Sequence, residues 1–140
     1  MSTTKPLEGI KVIEISTIIT ASLSAMMLSD QGAEVIKIEQ TGFGDPLRYL
    51  GTQKGGISAI FANTNRGKRS VELDLKIESD LEQAKKLISE ADVLINNFRP
   101  GVMDSLGLGK EDCKTLNKDL IYVAITGFGK EGPYANAPAY

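Results

Sequence analysis

Five short apolar segments rich in β-branched residues recur along this 140-residue chain, and helix-like stretches separate them. The segments are IKVIEIS at 10–16, EVIKIE at 34–39, SVELDL at 70–75, DVLINN at 92–97 and DLIYVAIT at 119–126. Branched side chains pack well on a pleated surface, so each segment predicts a strand. Strands that alternate with helices predict crossover connections. We therefore expect an α/β fold with a Rossmann-like, doubly wound parallel sheet of about five strands.

Helical patterns occupy the stretches between these strands. They cover residues 22–31, 79–91, 100–106 and 110–117. In the second stretch Leu81, Ala84 and Ile88 fall on one helix face. Gly32 follows the first stretch, where a left-handed C-terminal cap is expected, and Pro100 suits the first position of the third helix.

Doubly wound sheets bind ligands outside the carboxyl ends of their strands. The loops at 16–22, 39–56, 96–101 and 126–140 are therefore the places to search for a site. The second of these loops holds five glycines but lacks the Gly-Lys-Ser/Thr ending of a phosphate-binding loop. We expect it to be a flexible loop or lid.

Composition excludes several kinds of chemistry. The chain has no histidine and one cysteine, Cys113. Histidine-dependent triads, imidazole-bound zinc and an intrachain disulfide are therefore excluded within these residues. The net charge of −2 gives no overall attraction to nucleic acid or anionic membranes, and the longest apolar runs are too short to span a bilayer. We expect a cytoplasmic protein with no metal, no nucleic-acid partner and no membrane partner.

The loop after the first strand disfavours a nicotinamide cofactor. Its sequence, STIITASLS, has no glycine, whereas a dinucleotide fold needs glycines there for close approach to the pyrophosphate. Glu39 ends the second strand like the acid that holds a ribose hydroxyl, but without the glycine turn it is better interpreted as a solvated loop residue or a local cap. A nicotinamide-dependent oxidoreductase is thus a weak alternative.

A basic segment, NRGKRSVELDLK, surrounds the third strand. Its cations are Arg66, Lys68, Arg69 and Lys76. A solvated turn and a site for a nucleotide phosphate are both open from the spacing. The arginine fork can hold a phosphate at two points, and Lys76 can act as a point charge.

The segment NNFRPG at 96–101 ends the fourth strand. Asn97 can donate and accept hydrogen bonds, Phe98 offers an aromatic face and Arg99 a guanidinium. Asn97 as a simple helix N-cap is the alternative. The combination favours a ligand site.

The ordered motifs PLEGIKVIEIS, GAEVIKIE, GDPLR, NRGKRSVELDLK, ADVLINNFRPGVMDSLGL and ITGFGKEGPYANAPAY resemble the amino end of the family III CoA-transferases, of the CaiB/BaiF type. The resemblance runs from Pro6 to Tyr140. It covers only about the first third of a typical member. It implies that residues 1–140 are the amino-terminal part of the large CoA-binding domain, without the small domain and the remainder of a fold that forms interlocked homodimers.

The resemblance also implies a CoA site. By similarity, its lining comprises Thr17, Ile18, Ile19, Thr20, Leu73, Lys76, Asn97 and Phe98, and the guanidinium argument adds Arg99. CoA or acyl-CoA is then a substrate, and a carboxylic acid is the second partner. Members commonly have Ala-Gly-Pro where this chain has Thr20, Ala21 and Ser22, a departure that bears on the loop's contacts with CoA.

In this family an aspartate attacks the thioester, and that residue lies beyond the position of Tyr140. We therefore expect no catalytic residue among residues 1–140 and no turnover by them alone. The racemase branch uses a histidine whose position matches Tyr140, so tyrosine there favours the transferase branch. A non-catalytic module that binds CoA or a partner protein, and a racemase-branch member, are the alternatives.

Overall fold

The computed structural model describes residues 4–139 and places five strands in one parallel sheet. Residues 4–139 contain seven strands in all, and in chain order they are β1 (Lys11–Ile15), β2 (Glu34–Glu39), β3 (Gln53–Lys54), β4 (Ile57–Ser58), β5 (Arg69–Glu72), β6 (Val93–Asn96) and β7 (Ile121–Ala124). The sheet has the order β5-β2-β1-β6-β7, and its neighbours pair in parallel. Strands β3 and β4 form a separate antiparallel hairpin. The predicted α/β class and parallel sheet are confirmed.

Five α-helices connect these strands. They are α1 (Thr20–Asp30), α2 (Ala59–Asn65), α3 (Glu78–Ser89), α4 (Val102–Ser105) and α5 (Lys110–Leu116), and a short 3₁₀ helix covers Pro46–Tyr49. Gly32 has a φ of 108° and ends α1 in the left-handed conformation that the sequence predicts. None of the helices among residues 4–139 is long and apolar enough to cross a membrane.

The central strand β1 is buried on both faces because helices cover the sheet on both sides. Val12 packs in one hydrophobic cluster with Ala21 and Ala25 of α1. Ile13 points to the opposite face, into a larger cluster with Ile88 of α3. Successive side chains of a strand point to opposite faces, so the apolar residues of β1 contribute to both layers of the core.

The strand order creates a switch point beside β1. The chain runs outward from β1 through β2 to β5, then returns to form β6 on the other side of β1. The loops that follow β1 and β6 therefore diverge at the carboxyl edge of the sheet. This divergence opens a crevice in doubly wound folds.

The connection between β2 and β5 contains elements that the sequence pattern does not predict. They are the 3₁₀ helix, the β3–β4 hairpin and α2. A flexible loop or lid in this connection stays a prediction. Gly55 and Gly56 have φ values of 60° and 78°, the positive angles that a tight hairpin turn requires, so the Gly-Gly pair was the signal.

The helix predicted at 100–106 begins later than expected. Pro100 is not its first residue, because Gly101 has a φ of 86° and the helix α4 starts at Val102. A left-handed residue cannot continue a right-handed helix, so Gly101 sets the boundary.

Candidate functional site

A cavity of about 280 Å³ lies at the carboxyl edge of the sheet. Its wall is formed by residues 15–17, 38–40, 44–46 and 73–76, together with Phe98 and Leu106. These residues end or follow β1, β2, β5 and β6. The cavity thus lies where the strand order predicts a ligand crevice.

The structure brings four of the nine predicted site residues to this wall. They are Thr17, Leu73, Lys76 and Phe98. The other five are not part of this wall, and they are Ile18, Ile19, Thr20, Asn97 and Arg99. Residues 18–20 lead into α1, where the side chains of Ile18 and Ile19 are 40% and 38% exposed. Arg99 is exposed next to Phe98.

Lys76 is the cation that reaches the cavity from the basic segment. The ammonium group of Lys76 has no carboxylate within 4.0 Å among residues 4–139, and only its backbone N–H is engaged, by Asp74 Oδ1 at 3.0 Å. Phe98 is half-buried and packs against the larger hydrophobic cluster. The wall therefore combines one cation and one aromatic ring with apolar surface and with three acidic residues, Glu39, Asp45 and Asp74.

The other three cations of the basic segment form ion pairs within the protein. The pairs are Arg66 with Asp30 at 2.6 Å, Arg69 with Glu34 at 2.7 Å and Lys68 with Glu14 at 2.6 Å. The first two pairs are exposed, as a solvated turn would be, whereas the third is buried. The four cations of the basic segment therefore do not form one phosphate site.

Asn97 is not a helix N-cap. Its side chain crosses to the loop after β1, where Oδ1 accepts a hydrogen bond from the N–H of Thr17 at 3.1 Å. The side-chain amide donates to the carbonyl oxygen of Thr17 at 2.8 Å and to the hydroxyl of Thr20 at 3.0 Å. Asn97 is not part of the cavity wall itself, but its hydrogen bonds hold Thr17, which is.

Glu39 is not a solvated loop residue, because its side chain is buried. Oε1 accepts hydrogen bonds from Arg48 at 2.7 Å and Ser70 at 2.6 Å, and Oε2 accepts from Arg48 at 2.7 Å and the N–H of Asp45 at 2.8 Å. Burial raises the pKa of Glu39, but these donors outweigh it and lower the pKa to about 2. These four hydrogen bonds occupy the carboxylate oxygens of Glu39, which would otherwise accept hydrogen bonds from the hydroxyl groups of a ribose.

A buried charge cluster consists of Glu14, Lys37, Asp45 and Lys68, and its member Asp45 is part of the cavity wall. Each of these side chains is at most 2% exposed. The ammonium of Lys37 lies 2.5 Å from Glu14 Oε1 and 2.9 Å from Asp45 Oδ2. Burial alone raises the pKa of Glu14, but the two lysines outweigh it and hold the pKa below its usual value. Two positive and two negative charges therefore compensate one another with their side chains buried.

Sequence reasoning missed this cluster. Its signal was an acid in VIEIS and a base in VIKIE, each within an apolar strand, and Glu14 and Lys37 lie opposite each other in the β1–β2 register. Ser22 joins them: its hydroxyl donates to Glu14 Oε1 at 2.9 Å and accepts from Lys37 at 3.0 Å. Ser22, one of the positions at which this chain departs from the motif it resembles, therefore forms hydrogen bonds with the buried charge cluster.

No three acidic, histidine or cysteine side chains within residues 4–139 are grouped as metal ligands would be. Tyr140, on which the distinction between transferase and racemase branches rests, lies outside the described residues.

The fold defines an α/β protein with a parallel sheet and a cavity at the carboxyl edge of that sheet. The family model for CoA-transferase family III matches residues 7–140. The chain belongs to this family.

Two curated relatives and one solved structure indicate how close the similarity is. The acetyl-CoA:oxalate CoA-transferase of Acetobacter aceti is 43% identical over 135 residues, which cover 96% of this chain and 35% of the relative. The succinyl-CoA–L-malate CoA-transferase beta subunit of Chloroflexus aurantiacus is 40% identical over 140 residues, which cover 99% of this chain and 35% of the relative. A crystal structure of a CaiB/BaiF family protein from Brucella suis superposes with a TM-score of 0.92 at 41% identity, covering 99% of this chain and 38% of that one. The chain therefore spans about a third of the length of the curated relatives it matches.

Proposed function

We propose that residues 1–140 are the amino-terminal, CoA-binding part of the large domain of a family III CoA-transferase. The observation that carries this proposal is the cavity of about 280 Å³ at the carboxyl edge, whose wall includes Thr17, Leu73, Lys76 and Phe98. These four residues come from three separate loops, and the resemblance to the family assigns them to one ligand.

Charge and shape suggest how the cavity would hold the nucleotide end of CoA. Lys76 has an ammonium group with no internal carboxylate partner among the described residues, so it can meet a phosphate. Phe98 can stack on or pack against the adenine. Arg99, which is exposed and follows Phe98 in the chain, would add a second cation. The loop from Thr17 to Thr20 would contribute backbone contacts.

The chemistry that we propose for the whole enzyme is covalent catalysis by an aspartate outside residues 1–140. Its carboxylate would attack the acyl carbon of the thioester, which breaks the C–S bond and gives an acyl-aspartyl anhydride and the CoA thiolate. The thiolate would then attack the aspartyl carbon, which releases the donor acid and leaves an aspartyl-CoA thioester. The acceptor carboxylate would reverse these two steps and regenerate the aspartate.

The residues described here would therefore bind CoA but not catalyse transfer. We propose that the whole protein is a cytoplasmic interlocked homodimer that moves CoA from an acyl-CoA to a carboxylic acid. The relatives are named for oxalate in one case and L-malate in the other, so the acceptor stays open. Purified residues 1–140, assayed with acyl-CoA donors and acid acceptors, are expected to form no new thioester. Turnover by them would contradict this assignment.

Calorimetric titration of the chain with CoA tests the binding site. Removing the Lys76 charge in Lys76→Ala is expected to weaken CoA binding about tenfold, or about 1.4 kcal/mol. Phe98→Leu keeps apolar volume but removes the ring, and a loss of about 1–3 kcal/mol is expected. Lys86→Ala, at an exposed lysine of α3, is the matched control and should bind like the parent.

NADH provides the comparison ligand and is expected not to bind. Absence of CoA binding by the folded chain, or equal losses in the Lys76 and Lys86 variants, would refute the proposed site.

A further inference from the structure

Ile18 has a strained backbone. Its φ is +66°, and it is the one non-glycine residue within 4–139 that has a positive φ. A β-branched side chain in this left-handed region is a genuine outlier. Such a conformation persists only where neighbouring groups hold it, and these outliers cluster at ligand-binding sites. Ile18 follows Thr17, which forms part of the cavity wall.

The side chain of Asp45 holds this backbone. Asp45 Oδ1 accepts a hydrogen bond from the N–H of Ile18 at 3.0 Å. This hydrogen bond joins the loop after β1 to the segment after β2, although Ile18 and Asp45 are far apart in the sequence. Asn97 fixes Thr17 from the other side, so residues 17 and 18 are each held by a side chain from a different loop.

Asp45 is itself rigidly placed. It is 1% exposed, its N–H donates to Glu39 Oε2 at 2.8 Å, and Oδ1 also accepts from the N–H of Leu47 at 2.8 Å. Oδ2 lies 2.9 Å from the ammonium of Lys37, as an ion pair without the geometry of a hydrogen bond. The carboxylate therefore connects the buried charge cluster to the loop after β1.

We propose that Asp45 is a positioning residue for the CoA site: it holds Ile18 in the left-handed conformation and so sets the backbone of Thr17 against the cavity. This inference rests on the proposed function, because it takes CoA as the ligand of the cavity. The alternative is a purely structural role, in which Asp45 serves only as the N-cap of the 3₁₀ helix at Pro46–Tyr49.

Two readouts separate these roles. Amide hydrogen exchange at Ile18, measured by NMR without ligand, reports whether the loop is held, and the dissociation constant for CoA reports whether the site is formed. Asp45→Ala is expected to speed exchange at Ile18 and to weaken CoA binding, each about tenfold or more. Ser58→Ala is the matched control, because Ser58 is the buried N-cap of α2 and accepts from the N–H of Phe61. It should leave both readouts within twofold of the parent.

Substitution of the strained residue provides a second test. In an Ile18→Gly background the positive φ costs little, so Asp45→Ala should weaken CoA binding less than threefold there. Asp45→Asn keeps an acceptor for Ile18 and should keep the slow exchange, which makes it the variant to use if Asp45→Ala does not fold.

Unchanged exchange at Ile18 in a folded Asp45→Ala variant would overturn the proposal. Equal effects of Asp45→Ala and Ser58→Ala on CoA binding would also overturn it, as would an undiminished effect in the glycine background. If the parent chain binds no CoA at all, the proposed function fails, and with it the inference about CoA, while the exchange data still show whether Asp45 holds the loop.

Discussion

Asn97 binds both backbone polar groups of Thr17, since its Oδ1 accepts from the N–H at 3.1 Å and its amide donates to the carbonyl oxygen at 2.8 Å. The two residues follow β6 and β1, neighbouring strands on the two sides of the switch point. One side chain thus links the two loops that diverge around the cavity. A single amide with a donor and an acceptor can do this, whereas a carboxylate cannot donate.

This relationship predicts a coupled loss of stability and affinity in Asn97→Ala. Loss of the contacts to Thr17 should lower the free energy of unfolding by about 1–3 kcal/mol, because part-buried backbone groups of Thr17 lose their partners. CoA affinity should fall as well, by about tenfold or more, which corresponds to about 1.4 kcal/mol. Urea unfolding and calorimetric titration measure the two effects.

Asn117→Ala is the control for this prediction. Asn117 also bridges two backbone groups, donating to the carbonyl of Ala91 at 2.8 Å and accepting from the N–H of Asp119 at 3.0 Å, but it does so before β6 and β7, at the opposite edge of the sheet. Stability should fall while CoA affinity stays unchanged. A similar loss of affinity in both variants would contradict a local role for Asn97.

Glu39 predicts a specific acid sensitivity. Its pKa lies at about 2 in the folded protein and at 4.5 ordinarily, so its ionised form favours the folded state. That contribution, on the order of 3 kcal/mol, is complete above pH 4.5 and is lost as the pH falls towards 2. The free energy of unfolding of the parent and of Glu39→Gln should therefore differ near pH 6 and converge near pH 2. A difference that does not depend on pH would refute this assignment.

The buried charge cluster predicts that removing one member is costly. In Lys68→Met the buried carboxylate of Glu14 loses one of its two ammonium partners. Breaking a buried pair in this way destabilises proteins by about 3–5 kcal/mol. Arg66→Met is the comparison, since its pair with Asp30 is about half exposed and should contribute about 0–1 kcal/mol. Chemical unfolding of both variants measures the contrast, and equal losses would argue against a buried network.

Cys113 is predicted to be unreactive in the folded protein. The side chain is buried in the larger hydrophobic cluster, and burial together with Asp112 raises the pKa of the thiol to about 11. Thiolate is the reacting species, so labelling by an aromatic disulfide at pH 8 should be slow. The same protein in denaturant should react at the rate of a free cysteine. Rapid labelling of the native chain would show that the core around α5 opens.

The segments IKVIEIS and EVIKIE show how much of the fold a local sequence pattern can predict. Branched apolar residues favour strands wherever they lie, and the strand–helix alternation permits few topologies, so the parallel sheet and its ligand edge could be predicted. The residues themselves indicated Lys76 and Phe98, and the motif resemblance added Thr17 and Leu73; all four line the cavity. By contrast, the hairpin at 53–58 is too short to leave a periodic signal.

The sequence by itself determined the class of the fold, the edge of the sheet that carries the cavity, and the family, because these depend on periodicity and on motifs that are local in the chain. Only the tertiary structure decided which charges face a ligand and which neutralise each other. Lys68 and Lys76 look equivalent in the basic segment, yet one is buried against Glu14 and the other opens on the cavity. Coulomb energy depends on distances in space and on access to water, and neither quantity can be read from positions along the chain.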